Sequence, residues 1–123
     1  MYDGVYVERK AVYELSELNK YLIVIKVKPE CREDYIAIHK QPWKEMLEAI
    51  RDAGFVNELI WYFEDQSIIY LECDDHDECN ARLRATEICK KWDAEMLPRF
   101  AAAPVMPEKI FDLNQQLDEG VLS

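Results

Sequence analysis

Tyr35, His39 and Trp43 recur every fourth residue in the run Tyr35-Ile-Ala-Ile-His39-Lys-Gln-Pro42-Trp43, and residues four apart share one face of a helix. A phenol, an imidazole and an indole on one face can line a small-molecule cavity, with an aromatic neighbour on each side of His39. A neutral imidazole can give one proton and take one, and its unperturbed pKa of about 6.5 lets it do both near neutrality. Pro42 sharpens the pattern. Inside a helix it has no N–H to donate and clashes with the carbonyl four residues back, that of Ile38, so the helix should kink or break beside His39. A stripe at this spacing also reads as core packing, so the rest of the chain must decide between the two.

The chain has 123 residues and a formal charge of −10. That length suits one domain burying roughly two-thirds of its unfolded surface, and the charge opposes nucleic acid and anionic lipid as partners by repulsion. No segment approaches the ~20 apolar residues of a membrane span, and the first ten residues have no apolar signal core, so the expected location is the cytoplasm. Cysteines 31, 73, 79 and 89 form no Cys-x-x-Cys pair and match no zinc spacing, which leaves four reduced thiols and no metal site. The run Cys73-Asp-Asp-His-Asp-Glu-Cys79 mixes hard and soft ligands. Asp75 and Glu78 have capping-box spacing instead, so the run reads as a strand end and a helix start, with His76 a solvated residue of the cap.

These residues need elements to hold them. Residues 21–28 are branched and apolar and stop at Pro29, a first strand. From 30 to 53 the apolar positions 35, 38, 39, 43, 46, 47 and 50 follow a 3.6 period and end at Gly54, a helix broken near Pro42. Residues 57–64 and 67–73 are strand-like and separated only by Asp65-Gln66, which demands an antiparallel hairpin. A second helix is expected over 75–97, its stripe running through Cys79, Leu83, Thr86, Cys89, Trp92 and Met96 until Pro98. Residues 108–114 suit a last strand before a polar tail at 115–123, and residues 1–20, with a weak helical stretch at 12–18, read as an arm or tail outside a domain at 21–114.

The order βαββαβ is a ferredoxin-like α+β arrangement. Two helices cover one face of such a sheet, and the alternate residues of strands such as Glu58-Leu59-Ile60-Trp61-Tyr62 are too apolar and aromatic for the other face to stay in water. Pairing sheet to sheet as a homodimer, a dimeric α/β barrel, solves this most simply. The space between sheet and broken helix is then the candidate site.

Taken together, Tyr35, His39 and Trp43, the Gly54-x-x-Asn57 entry to a strand, Glu72 ending the next, and Thr86-Glu-Ile-Cys89-Lys-Lys-Trp92 resemble the L-rhamnose mutarotase family over about residues 21–114. The resemblance implies a dimeric α+β barrel that interconverts the α and β anomers of a 6-deoxy pyranose without a cofactor. It places the family's proton donor on His39 and one of its sugar-binding residues on Tyr35. A sugar-contacting tyrosine falls on Glu58, and a pair of tryptophans falls on Trp92 and Asp93. The proline after the histidine is displaced by one residue from the family's more usual His-x-Pro-x-Trp.

Mutarotation opens a hemiacetal, so the ring oxygen gains a proton while the anomeric hydroxyl loses one, and no metal or nucleotide is called for. The expected site is His39 as acid/base, Tyr35 as its hydroxylic partner, Trp92 and Trp43 as apolar walls, and Glu58 and Asp93 as ligands for hydroxyls. An ionised Glu58 beside His39 would raise the imidazole pKa. Two other readings share this fold: a binding or accessory protein that keeps the pocket without mutarotase activity, and another cofactor-independent enzyme, such as an oxygenase or isomerase.

Overall fold

Strand β1 (Asn19–Lys26) pairs antiparallel with β3 (Gln66–Cys73), which pairs antiparallel on its other side with β2 (Asn57–Phe63), giving the sheet order β1-β3-β2. The structure, a computed structural model, describes residues 18–118, so the arm expected before β1 lies outside the described residues except at its last positions, where Asn19 and Lys20 already belong to the strand. The hairpin forms as expected with its turn one residue earlier. Glu64 and Asp65 both take positive φ, +48° and +60°, the two-residue geometry that matches strand twist, and Gln66 is thereby freed to pair with Phe63.

Alternation along the strands sorts the two faces. Ile25, Ser67, Ile69, Leu71 and Cys73 are buried under the helices, and the register puts Glu58, Ile60 and Tyr62 on that same face opposite Leu71, Ile69 and Ser67. Burying Ile25, Ile69 and Leu71 contributes roughly 1.5–3 kcal/mol apiece. The opposite face carries Leu22, Leu59, Trp61 and Phe63, all exposed.

The first helical region is α1 (Arg32–Lys40) and α2 (Lys44–Asp52), separated by Gln41-Pro42-Trp43. Gln41 leaves helical geometry at φ −134°, as a residue before proline tends to, and Trp43 turns extended and opens α2. Gly54 closes α2 at φ +113°, a conformation glycine adopts without strain. A Cβ there would stand 2.8 Å from the Cys79 Sγ. Gly54→Ala is therefore expected to cost about 2–4 kcal/mol from combined backbone strain and overpacking, read as a lowered urea midpoint. An unchanged midpoint would show that both clashes relax freely.

The second helical region corrects the expectation of one helix over 75–97. It is two, α3 (His76–Arg84) and α4 (Glu87–Met96). Thr86 belongs to no apolar stripe: its Oγ1 accepts from the Cys89 N–H at 3.2 Å and donates to the Leu83 carbonyl at 2.7 Å, starting one helix while closing the other. Asp75 caps α3 as expected, accepting from the Glu78 N–H at 3.1 Å. Burial, with Cys79 beside it, pushes the Cys73 thiol up to about 11, which keeps it protonated and inert.

The last strand is also corrected. Residues 108–114 form no strand, and a short helix, α5 (Leu113–Asp118), crosses the expected boundary of the polar tail. The place beside β1 is taken earlier, by isolated pairings of Val27 with Phe100 and Val24 with Val105. Ala101 N–H donates to the Lys26 carbonyl at 2.7 Å, and Val24 and Val105 exchange backbone bonds of 2.8 and 2.9 Å. Pro104 and Pro107 cannot donate to a ladder, so this fourth position stays irregular.

Candidate active site

A cleft of about 1040 Å³ lies between the helix-facing side of the sheet and the helices. Tyr35 and His39 enter it from α1, Glu58 from β2, and Trp92 and Asp93 from α4, so five of the six residues expected from sequence meet in one cavity. Trp43 does not line it. Its ring stands edge-on to Trp92 at 5.2 Å and faces a separate hollow of about 320 Å³ with Lys44, Ile88 and Lys91, so it backs the Trp92 wall rather than forming one.

His39 is held on several sides. Its Nδ1 lies 2.7 Å from the Tyr35 carbonyl, which only accepts, so Nδ1 carries the proton and Nε2 the lone pair in the neutral ring. The Tyr35 ring lies 4.2 Å away and Trp92 meets the imidazole edge-on at 5.4 Å. Burial lowers the His39 pKa, and the hydrogen bond to Tyr35 offsets only part of this. Burial of the ring, rather than a rise from Glu58, therefore sets the direction of the shift. Tyr35 is buried, its hydroxyl donates to the Ser67 Oγ at 2.7 Å, and burial raises its pKa. Its proton is thus committed to Ser67, and the residue positions His39 through its carbonyl and ring.

Glu58 points inward, and burial raises its pKa. Asp93 is engaged: its Oδ2 forms an ion pair with Arg84 and lies 3.9 Å from the Cys89 Sγ. The charge of Asp93 is therefore shared with a guanidinium before any hydroxyl meets it. Arg84, whose Nη1 also donates to Cys89 at 3.4 Å, was not among the expected site residues. Nor was Tyr62, whose hydroxyl is buried with no hydrogen-bond partner among the described residues. Strand alternation could have flagged it, since it lies four positions from Glu58 on the same face.

His76 corrects a further expectation. Its side chain is 14% exposed, its ring packs 5.1 Å from Tyr21 and 6.2 Å from Phe55, and it lines the far end of the cleft with Asn80. The acidic turn around it suggested solvent, but the strand that runs alongside covers it. No helix among the described residues is long and apolar enough to cross a membrane.

The antiparallel sheet, its one-sided helical layer and the cleft beneath define a ferredoxin-like α+β protein with a small-molecule site. Solved structures share this fold: an L-rhamnose mutarotase from Formosa agariphila aligns with a TM-score of 0.64 at 19% identity, over 76% of this chain and 97% of its own. An antibiotic biosynthesis monooxygenase aligns at 0.53 with 13% identity, over 75% and 98%. The L-rhamnose mutarotase family profile matches residues 20–119. The L-rhamnose mutarotase of Listeria monocytogenes strain EGD-e is 32% identical over 89 residues, 71% of this chain and 85% of its own, and that of Shouchella clausii is 35% identical over 77 residues, 61% and 73%. The chain belongs to the L-rhamnose mutarotase family, a family of isomerases.

Proposed function

We propose that this protein is a cofactor-free mutarotase that interconverts the anomers of a pyranose, a 6-deoxy sugar such as L-rhamnose or L-fucose, in the cytoplasm. The observation that carries the reading is the His39 imidazole, kept neutral by burial and fixed with Nε2 as its free lone pair, in a member of this family. Nε2 takes the proton of the anomeric hydroxyl as the bond from C1 to the ring oxygen breaks and the C1 carbonyl forms. The electron pair goes to the ring oxygen, and the imidazolium returns the proton there. After rotation about the C1–C2 bond the same steps run backwards and close the other anomer, with no net proton change. Trp92, backed by Trp43, packs the sugar's apolar face, while Glu58 and the Asp93–Arg84 pair hold hydroxyls. Four unpaired thiols fit a reducing compartment.

Saturation-transfer proton NMR across free sugars tests this. Anomer exchange should speed up for at least one 6-deoxy pyranose, and no acceleration with any sugar would leave a binding or accessory protein, or another reaction on this fold. The pH dependence has a definite sign. Protonation removes the Nε2 lone pair, and burial holds the folded pKa of His39 below 6.5. On its acid side kcat/KM should therefore fall with a midpoint below pH 6.5, as pH drops through that lowered value. An inflection above 6.5 would assign the proton transfer to another group.

The protein also functions, in this reading, as a homodimer through the sheet. Trp61 is 56% and Phe63 64% exposed on the face the helices leave bare, and pairing two such faces removes both from water.

A further inference from the structure

The cleft extends beyond the mutarotation residues. Helix α3 faces it with His76, Asn80, Leu83 and Arg84, positions spaced four, three and one apart, as on one helical face. Three of the four carry hydrogen-bonding groups. Arg84 stands at the Asp93 end, and His76 stands at the other, against Phe55. At 1.5 Å per residue the two are about 12 Å apart along the helix. The His76 end is a formed surface: the ring is held between Tyr21 and Phe55, and the His76 N–H donates to the Tyr21 hydroxyl at 3.4 Å. A volume of about 1040 Å³ is at the top of the range for clefts that bury drug-sized ligands and exceeds the needs of one pyranose.

The geometry points to a second sugar subsite at this end, formed by His76 and Asn80, so that the protein acts on the reducing end of a disaccharide or longer saccharide. The inference rests on the mutarotase reading and deepens it. Only the reducing unit of such a saccharide has a hemiacetal, and a glycosidic bond to one of its other hydroxyls leaves C1 free. Ring opening at His39 is then unchanged, while the neighbouring unit lies along α3. Phe55 is buried and backs the His76 ring from behind. His76 and Asn80 offer both donors and acceptors, which vicinal hydroxyls need in pairs.

The test compares anomer exchange of the best free monosaccharide with that of its 2-O-, 3-O- and 4-O-glucosyl derivatives by saturation-transfer NMR, on wild type, Asn80→Ala and His76→Leu. At least one disaccharide should show kcat/KM about tenfold above the monosaccharide, the worth of one or two added hydrogen bonds. Each variant should lower the ratio of disaccharide to monosaccharide kcat/KM several-fold. Asn80→Ala leaves the His76 packing intact, so it reports even if His76→Leu fails to fold. No preference for any disaccharide in wild type, or a ratio that Asn80→Ala leaves unchanged, overturns the subsite. The two readings fail differently, since monosaccharide exchange alone would retain the mutarotase and exchange of neither sugar would remove both.

Discussion

His39→Asn should fold as the wild type does and lose anomer exchange by a factor on the order of 10² to 10⁴, the usual contribution of a positioned acid/base. Asparagine suits the test because its amide N–H can replace the Nδ1 donor to the Tyr35 carbonyl, 2.7 Å away in the wild type, while nothing in it accepts a proton where Nε2 stood. The structural cost is confined to lost ring contacts with Tyr35 and Trp92, about 1–2 kcal/mol for a half-buried ring. Saturation-transfer NMR gives the rate and circular dichroism the fold. His39→Gln, which places its amide nearer the Nε2 position, should be equally inactive. Retained exchange in both would mean that the cleft uses another base, and unfolding of both would make His39 a core residue.

Trp61→Asp and Phe63→Asp should each turn a dimer into a monomer at micromolar concentration. Both side chains lie on the bare face of the sheet, more than half exposed in the single chain, so neither contributes much to the fold of its own subunit. In a two-fold interface each substitution occurs twice. Loss of a central aromatic anchor costs roughly 2 kcal/mol, so about 4 kcal/mol per dimer, or nearly 10³ in the dissociation constant, is expected before the cost of burying a carboxylate is added. Analytical ultracentrifugation of wild type and both variants reads this directly. A wild type that is monomeric throughout, or variants that stay dimeric, would remove the sheet face as the interface.

The parts of this protein that short-range chemistry decides were legible in its sequence. Pro42 has no N–H and would crowd the Ile38 carbonyl in any helix continued through it, so the break between α1 and α2 follows from local sterics, and with it the placement of His39 at a helix end. The hairpin likewise follows from two β-rich runs with only two residues between them, and the Asp75 cap from an oxygen three residues before an N–H that needs one. Thr86 shows where local reasoning chose wrongly between two local options: its hydroxyl suits a cap as well as its methyl suits a stripe, and the Leu83 carbonyl and Cys89 N–H settled the matter.

What tertiary structure alone decided involves groups far apart in sequence competing for the same place. Residues 108–114 have the composition of a strand, but a strand needs an edge, and the β1 edge is already occupied by the segment from Phe100 to Val105, which reaches it first along the chain. His76 sits among acids that suggested water, yet Tyr21, 55 positions earlier, closes over it, because β1 and β3 pair through Asn19 and Cys73 just beside it. The Asp93 carboxylate was visible as a departure from the family pattern, whereas its capture by Arg84 depends on the turn between α3 and α4 bringing two helices together. The protonation of His39 was open in the same sense. Its residue type sets a pKa near neutrality, but whether the ring is neutral depends on how much water the sheet, Tyr35 and Trp92 exclude, and only the packed fold determines that desolvation.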